Sequence, residues 1–507
     1  MSGCPSVLLL AAVLGCAAPA HPQAATIPGH PDRLTFKPLA YEPPRARDHR
    51  VVLHNGMVVF IAEDRALPLV SVALTIRTGR YLDPPGKEGL AALTGMQIRR
   101  GGSKGLTAEQ LDERLDFLAA QVATGIGDTA GSASLNCLAD NFDQALALFV
   151  EMLREPRFQE DRLDLAREQE LQEMKKRNDD AADIEFREWN ALLNGEDHFT
   201  NRYPTEASVG AITRDDLVSF HRKHLHPANM VAAVSGAFSR PEMLRKLENA
   251  FAGWPGAGPA APAVPSTISP SAPGLYRIHK DVNQGRVSLG LPTVRRDSPD
   301  VYALEVMNEI LGGGGGITSR IARTVRSSEG LAYDAGSALS VGVYYPGRFR
   351  ARFQSKARTV PYAAKLVLEE IRKIREAEVA PEELETVQNS LIQTFPSFFA
   401  SKAQAMALFA SDEYTRRDPS FWTTYRDRIR AVTAADVRRV AGAYLGPEKM
   451  VMLVVGNQEE IDLGDPRYPV TLVDLAPAGR VTTLPLRDPM TMRQRSAISH
   501  QPEQTRP

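Results

Sequence analysis

The sequence predicts an α+β protein of two tandem, similar halves, each a mostly antiparallel β-sheet backed by α-helices. The segment Met-Val-Ala-Ala-Val-Ser-Gly at 230–236 recurs as Met-Val-Met-Leu-Val-Val-Gly at 450–456, and a repeat this distant indicates duplicated domains. Residues 255–274, rich in Pro, Ala, Gly and Ser, are typical of an extended linker. Strand and helix patterns are mixed on both sides of this linker.

In the first half, residues 51–61 predict two strand pieces around an Asn-Gly turn, and residues 69–77 predict another strand. Thr107 is expected to open a helix. The helical period then runs through the apolar residues of the next predicted helix, which are Phe142, Leu146, Phe149 and Leu153.

The second half repeats this order, with a predicted strand at 287–291 and helices at 303–311 and 363–376. These elements place an N-terminal domain at 46–254 and a C-terminal domain at 275–460. The polar segment 488–507 is expected to be a disordered tail.

The N-terminus predicts export. A short apolar core at 7–13 precedes Ala-x-Ala spacing that ends at Ala20, which is typical of a signal peptide covering residues 1–20. Alternatively, Val-Leu-Gly-Cys ending at Cys16 is a lipobox, with Cys16 lipidated. The protein is therefore expected in the periplasm, and lipidation of Cys16 would make it an outer-membrane lipoprotein. Cleavage after Ala20 would leave Cys137 as the single cysteine, so no internal disulfide is expected.

Composition limits the function classes. The 507 residues are 43% hydrophobic and 24% charged, as in ordinary globular proteins, and the formal net charge is −1. This balance gives no electrostatic case for binding nucleic acid or an anionic membrane surface. After the leader, no apolar run approaches the roughly 18 residues that a membrane-spanning helix needs.

The most informative motif is incomplete. Residues 82–96 read Leu-Asp-Pro-Pro-Gly-Lys-Glu-Gly-Leu-Ala-Ala-Leu-Thr-Gly-Met and resemble the entry to the zinc helix of the insulinase, pitrilysin and mitochondrial processing peptidase family, where His-x-x-Glu-His follows. Ala92, Gly95 and Met96 occupy those three positions. Alanine and glycine offer no donor atom, and a thioether is a poor ligand for hydrolytic zinc. The chain is therefore expected to bind no metal there.

The family's third ligand, a glutamate, matches Glu173, which follows Met96 at the family's spacing. A single carboxylate does not make a zinc site, so Glu173 is expected to be a solvated or salt-bridged helix residue. A separate tract contains His221, His224 and His226. His-rich tracts can bind metal, but these residues end a predicted helix, where cationic side chains are favoured for electrostatic reasons.

The other half of the family's active site is present. Residues 311–333 contain a glycine run, Ser-Arg, and an arginine followed seven residues later by tyrosine, which resembles the family's C-terminal signature. The glycine run lacks the Lys-Ser/Thr ending of a P-loop, so a flexible loop approaching a peptide is expected. The resemblance implies that Arg326 and Tyr333 act in catalysis by stabilising the tetrahedral intermediate. It implies substrate contacts for Gly313, Gly314, Gly315, Ser319 and Arg320.

Two functions from different classes follow from the resemblance. In the first, the chain is the non-zinc subunit of a heterodimeric metalloendopeptidase that cleaves peptides or unfolded proteins. A homologous partner then carries His-x-x-Glu-His and the zinc, and this chain forms half of a clamshell chamber. In the second, the chain is a proteolytically inactive peptide-binding or scaffold protein of the same fold.

Overall fold

The computed structural model describes residues 40–254, 260–313 and 318–494, and the first of its two sheets lies in the N-terminal half. This sheet has six strands in the order β1-β2-β6-β3-β5-β4, paired antiparallel except for β2 with β6. Its strands are β1 (Arg50–Val52), β2 (Val58–Glu63), β3 (Leu69–Ile76), β4 (Gln121–Ile126), β5 (Gly131–Leu138) and β6 (Met230–Gly236).

The helices of the first half follow the predicted periodicity. Thr107 caps α3 through a capping box with Gln110, and the predicted apolar stripe of α4 is buried. The helices are α1 (Ala46–His49), α2 (Leu90–Arg100), α3 (Ala108–Phe117), α4 (Phe142–Arg154), α5 (Glu160–Lys175), α6 (Ala181–Asn194), α7 (Glu206–Ala211), α8 (Arg214–His224) and α9 (Arg240–Ala250).

The second sheet repeats the first, in the strand order β12-β7-β11-β8-β10-β9. Strand β7 pairs in parallel with both β11 and β12, and the remaining pairs are antiparallel. The strands are β7 (Gly274–His279), β8 (Gln284–Pro292), β9 (Ala332–Ser340), β10 (Arg348–Lys356), β11 (Val451–Gly456) and β12 (Val481–Thr483).

The second half contains the helices α10 (Val301–Asn308), α11 (Val360–Glu376), α12 (Pro381–Thr394), α13 (Lys402–Thr415), α14 (Phe421–Arg430), α15 (Ala434–Tyr444) and α16 (Gln458–Leu463). A π-helical turn at Glu309–Gly313 extends α10, and a second π-helix covers Ala322–Ser328. Both sheets belong to one compact unit that begins at Glu42. The predicted α+β class with two similar, mostly antiparallel halves is confirmed.

The halves exchange a helix. Helix α6, from the first half, packs on β11 and β8 of the second sheet, where Ile184, Trp189 and Leu193 are buried. Helix α13, from the second half, packs on β6 and β2 of the first sheet, where Met406 and Phe409 are buried. Each sheet therefore completes its core with a helix from the other half.

The face that α6 presents to the second sheet also carries a buried carboxylate. Glu185 is 2% exposed and accepts hydrogen bonds from Arg286 Nε (2.7 Å), Arg350 Nη2 (2.9 Å) and Ser288 Oγ (2.5 Å). A buried charge requires such partners, because an unpaired one is costly to desolvate. This network fixes α6 on the sheet in one register.

The linker and the C-terminal segment both form hydrogen bonds with the first half, and the linker runs along the end of α6. Residues 260–273 form no helix or strand, and the Ser269 and Ser271 amides donate to the last turn of α6. The predicted tail begins inside the fold: Arg177 Nη1 donates to the Pro489 carbonyl (3.1 Å), and the Glu206 amide donates to that of Met490 (2.9 Å). These contacts correct the predicted start of the tail, since residues 488–494 are held by hydrogen bonds.

Several predicted features lie outside the described residues. They are the signal peptide at 1–20 with its lipobox alternative at Cys16, linker residues 255–259, and the tail from 495. Among the helices that the structure describes, none has the length and apolarity needed to span a membrane. Cys137 is free and buried.

Candidate functional site

The loop before α2 is organised by Asp83. Its carboxylate is 7% exposed and accepts hydrogen bonds from the amides of Gly89 (2.9 Å) and Ala91 (2.8 Å). These are among the unpaired donors at the start of α2. Burial outweighs these bonds and raises the pKa of Asp83 to about 6. Asp83 therefore sets where α2 starts, a role that its place in the motif does not reveal.

The three degenerate metal positions lie on α2. Ala92 is exposed, Gly95 is buried and Met96 is half-buried, with Met96 Sδ 3.8 Å from Arg100 Nη1. A Cβ atom added to Gly95 would stand 2.4 Å from the Ile126 nitrogen and 2.7 Å from the Gly125 carbonyl carbon. Strand β4 thus occupies the space that a side chain at residue 95 would need.

Glu173 lies on α5 with its side chain exposed, and its carboxylate is paired with Lys176 Nζ at 2.8 Å. In the described part of the chain, no group of three or more His, Cys, Asp or Glu side chains is placed to hold a metal ion. The donor set of Ala92, Gly95, Met96 and a solvated carboxylate does not fit zinc.

The three histidines lie at and just after the C-terminal end of α8. His221 Nε2 lies 2.7 Å from the Leu153 carbonyl oxygen. His224 and His226 are 4% and 5% exposed, and His224 Nδ1 and both ring nitrogens of His226 have no hydrogen-bond partner in the described structure. Burial, aided by the Lys223 charge, lowers the pKa of His224 to about 4. All three rings are buried.

The glycine run begins in the π-helical turn after α10. A Cβ atom on Gly312 would lie 2.4 Å from the Ser337 amide nitrogen of β9. A Cβ atom on Gly313 would lie 2.2 Å from Asn308 Nδ2. Packing against the β9 backbone therefore requires glycine at residue 312, whereas the closest contact at residue 313 is with a side-chain amide that can move. The predicted contact residues Gly314 and Gly315 lie outside the described part of the chain.

Ser319 and Arg320 follow that gap. Ser319 is 3% exposed, and its Oγ has no hydrogen-bond partner among the described residues. Arg320 makes a two-pronged ion pair with Glu383 of α12, with Nε at 2.8 Å and Nη2 at 2.6 Å from the carboxylate oxygens. This geometry attaches the segment before the second π-helix to α12. Two donor nitrogens of Arg320 are thus already occupied.

Arg326 and Tyr333 lie at the two ends of one tight connection. Arg326 is half-buried on the second π-helix, and Tyr333 is the second residue of β9; its side chain lies outside the described atoms. The Gly330 amide donates to the Arg326 carbonyl (3.1 Å), and the Leu331 amide donates to the Val325 carbonyl (3.0 Å). The connection folds the end of the π-helix back to the start of β9.

Among the described strands, β9 pairs only with β10, so it forms an edge of the second sheet. An edge strand presents main-chain donors and acceptors that an extended peptide can pair with. Strand β4 is the corresponding edge of the first sheet. The arginine and tyrosine positions therefore adjoin a sheet edge, which is a suitable location for groups that contact a peptide backbone.

A cavity of about 1080 Å³ lies beside this region, between the π-helices and α11 and α12. Glu370, 5% exposed, accepts hydrogen bonds there from Thr324 Oγ1 (3.0 Å) and Lys373 Nζ (2.8 Å). Burial raises the pKa of Glu309, which also lines the cavity. Glu370 gave no sequence signal as a buried carboxylate, because Thr324 and the elements that cover it come from distant parts of the chain.

Two family models match the chain. The model described as insulinase (peptidase family M16) matches residues 58–196, and the model described as the peptidase M16 inactive domain matches residues 211–391. Together they span more than half of the chain.

Among curated relatives, an uncharacterized zinc protease of Mycobacterium leprae is 32% identical over 226 residues, which are 42% of this chain and 50% of that protein. This match spans only half of the relative's length. A non-peptidase homolog of Helicobacter pylori is 23% identical over 82% of this chain and 95% of its own length.

Among solved structures, the peptidase M16 inactive domain from Pseudomonas fluorescens has a TM-score of 0.71 and 25% sequence identity. That similarity covers 80% of this chain and 97% of the solved chain. The two-halved architecture is therefore shared with a protein described as inactive.

Proposed function

The chain belongs to the insulinase family of peptidases, family M16, and from that premise we propose that it is the non-zinc subunit of a two-chain metalloendopeptidase. The observation that carries the proposal is that the two halves differ in how many of the family's motif residues they retain. The zinc helix has lost every strong donor, whereas the second half keeps its glycine run, Ser319-Arg320, and the Arg326 and Tyr333 positions beside a sheet edge.

In this proposal a homologous partner carries His-x-x-Glu-His and zinc. The zinc supplies an activated water for peptide hydrolysis. This chain contributes donors: the Arg326 guanidinium and the Tyr333 phenol bind the substrate carbonyl as it gains negative charge. An extended peptide adds as a strand to the edge of β9. Binding of this kind depends on main-chain hydrogen bonds more than on the amino-acid sequence of the peptide. The substrates are therefore peptides or unfolded proteins.

The proposed place of action is the periplasm, after export directed by residues 1–20, with lipidation at Cys16 as the alternative route. The neutral overall charge, −1 in 507 residues, suits a chamber that accepts varied peptides.

A second candidate function is a proteolytically inactive peptide-binding or scaffold protein. Two observations favour it. Gly95 is packed against β4 and Glu173 is paired with Lys176, so the first half alone has no hydrolytic chemistry. The Helicobacter pylori relative, which matches most of this chain, is named a non-peptidase homolog.

The experiment that separates these functions is an affinity purification of the tagged, full-length chain from its native cells. Co-purification of a His-x-x-Glu-His homologue, with cleavage of an unstructured peptide that a chelator abolishes, supports the two-chain peptidase. The purified partner without this chain is the control and should be inactive or strongly impaired. An eluate that contains no such homologue and has no activity supports the scaffold function.

A further inference from the structure

A groove of about 630 Å³ runs along the outer face of α8, remote in sequence from the glycine run and Arg326. It lies between α8, the loop after α4 and Trp254; we call it the α8 groove. Five basic side chains line it against a single carboxylate, Glu155. The basic residues are Lys104, Arg154, Arg157, Arg214 and Arg222.

Three of these cations are held by the fold, but only one of them is neutralised. Lys104 Nζ pairs with Glu155 at 2.9 Å. Arg154 Nη2 donates to the Gly253 carbonyl (3.0 Å), and Arg214 Nε donates to the Phe158 carbonyl (3.0 Å). Carbonyl oxygens orient a guanidinium without cancelling its charge. The groove therefore keeps a positive potential, which neighbouring cations reinforce.

The other two cations are available to a ligand. Arg157 and Arg222 are exposed, and neither guanidinium has a hydrogen bond or ion pair within the described structure. Arg157 comes from the loop after α4 and Arg222 from α8, so they approach the groove from two elements. A guanidinium with free donors binds a carboxylate through two parallel hydrogen bonds.

The wall of the groove is apolar and contains an unpartnered imidazole. Trp254 and Phe158 form its buried floor, and the half-buried Pro156 and Val218 give the apolar surface that a ligand can reach. His226 also lines it, and both of its buried ring nitrogens lack partners in the described residues. Cations above an apolar wall fit a ligand that carries both carboxylates and apolar groups.

The length of the groove distinguishes a chain from a single anion. Its α8 residues run from Arg214 to Leu225, about 17 Å at the α-helical rise of about 1.5 Å per residue. An extended peptide of about five residues covers that distance. A single phosphate group would reach only one end.

We propose that the α8 groove binds a short acidic and partly apolar segment of another polypeptide. Its carboxylates pair with Arg157 and Arg222, and its apolar side chains pack on Pro156 and Val218. The inference is independent of the proposed peptidase function, because it uses none of the residues assigned to catalysis or substrate binding there.

The test uses the full-length chain and a fluorescein-labelled peptide of repeated Glu-Ser-Leu, with binding followed by fluorescence polarisation. We expect binding that weakens as salt is added. The double variant Arg157→Glu and Arg222→Glu should weaken it by about tenfold or more. Lys223→Glu is the matched control: Lys223 is an exposed neighbour on α8 that does not line the groove, so affinity should stay within about twofold.

Thermal melting of each variant checks folding, and the uncharged double variant Arg157→Gln and Arg222→Gln gives an intermediate loss. Absence of salt-sensitive binding to the unmodified chain overturns the proposal. So does an equal loss in Lys223→Glu, which would mean that overall charge is sensed. Tighter binding of phosphatidylglycerol vesicles than of the peptide, lost in the same double variant, would reassign the groove to a membrane surface.

Discussion

Gly95 of α2 lies directly against the main-chain nitrogen of Ile126 in β4, where a Cβ atom added to the glycine would stand at 2.4 Å. The Thr124 side chain secures the same contact by donating to the Gly95 carbonyl at 2.6 Å. Gly95 occupies the position at which the family carries its general-base glutamate. The absence of a side chain at residue 95 therefore allows α2 to pack directly on the edge strand.

We expect Gly95→Ala to destabilise the protein by about 1–3 kcal/mol, because the added carbon overpacks the helix against backbone that cannot move freely. Gly442 is the matched control, since it also lies within a helix but has open space around its Cβ position. Gly442→Ala should stabilise by about 0.5–1 kcal/mol through helix propensity. Urea denaturation measures both, and stabilisation by Gly95→Ala would contradict the packing argument.

Glu185→Gln should destabilise by about 3–5 kcal/mol, because Arg286 and Arg350 would lose the buried carboxylate that they share. The control is Glu173→Gln on the exposed face of α5, expected to change stability by less than about 0.5 kcal/mol. Guanidinium unfolding curves followed by circular dichroism give both values. Similar small effects from the two substitutions would mean that the network does not anchor α6.

The Arg320–Glu383 pair should behave as a structural unit. We expect Arg320→Ala and Glu383→Ala to be non-additive in unfolding free energy, with a coupling of about 1–2 kcal/mol. A double-mutant cycle measures it. If Arg320 instead acts mainly on substrate, the Michaelis constant of the assembled peptidase should rise in Arg320→Ala and stay normal in Glu383→Ala.

The buried His224 predicts a pH dependence of stability. Its folded pKa, about 4, lies below the usual value of 6.5, so between those values the unfolded chain binds a proton that the folded chain does not. The contribution of the neutral, buried His224 to the free energy of unfolding is therefore fully present above pH 6.5 and is lost as pH falls toward about 4.

His224→Gln should flatten this decline, reducing the stability lost between about pH 6.5 and 4.5 by roughly 1–3 kcal/mol. Urea midpoints at several pH values give the comparison, and other titrating groups such as Asp83 cancel in the difference. His279→Gln, at an exposed position, should leave the pH profile unchanged. A profile for His224→Gln parallel to that of the unmodified chain would show that His224 is protonated equally in both states.

Tyr333→Phe tests the proposed donor. In the assembled two-chain enzyme we expect turnover to fall by about 10²–10³-fold, as for removal of one oxyanion donor, while co-purification of the partner is unchanged. Tyr276→Phe is the control, because the Tyr276 hydroxyl donates to the Ala272 carbonyl (2.7 Å) beside β7, and three strands separate β7 from β9. Normal turnover in Tyr333→Phe would remove the tyrosine from the mechanism.

The sequence predicted those features whose signal is local or periodic. The Asn-Gly turn between β1 and β2, the capped start of α3 and the apolar stripe of α4 each depend on neighbouring residues. The duplication was detectable because two core strands kept similar apolar runs. The replacement of the metal-binding motif by Ala92, Gly95 and Met96 could be recognised because the loop before it kept the family's sequence pattern.

Other features depend on residues brought together from distant parts of the chain. Nothing near Glu185 in the sequence indicates that arginines from β8 and β10 will neutralise it. Arg320 looks like a substrate contact until Glu383, from α12, is seen beside it. Polar composition placed residues 488–494 in a disordered tail, although their backbone carbonyls satisfy donors on the first half.

The exchange of α6 and α13 constrains how this chain can mature. As the polypeptide is made from its N-terminus, the first sheet must leave Phe60 and Val231 uncovered until α13 has been synthesised. Because these contacts join distant parts of the chain, folding is slow, and partly folded intermediates expose aggregation-prone apolar surface for longer. A nascent chain would thus expose this apolar surface until late in its synthesis. For the same reason, a cut in the linker should leave two fragments that remain associated, whereas either half produced alone should aggregate.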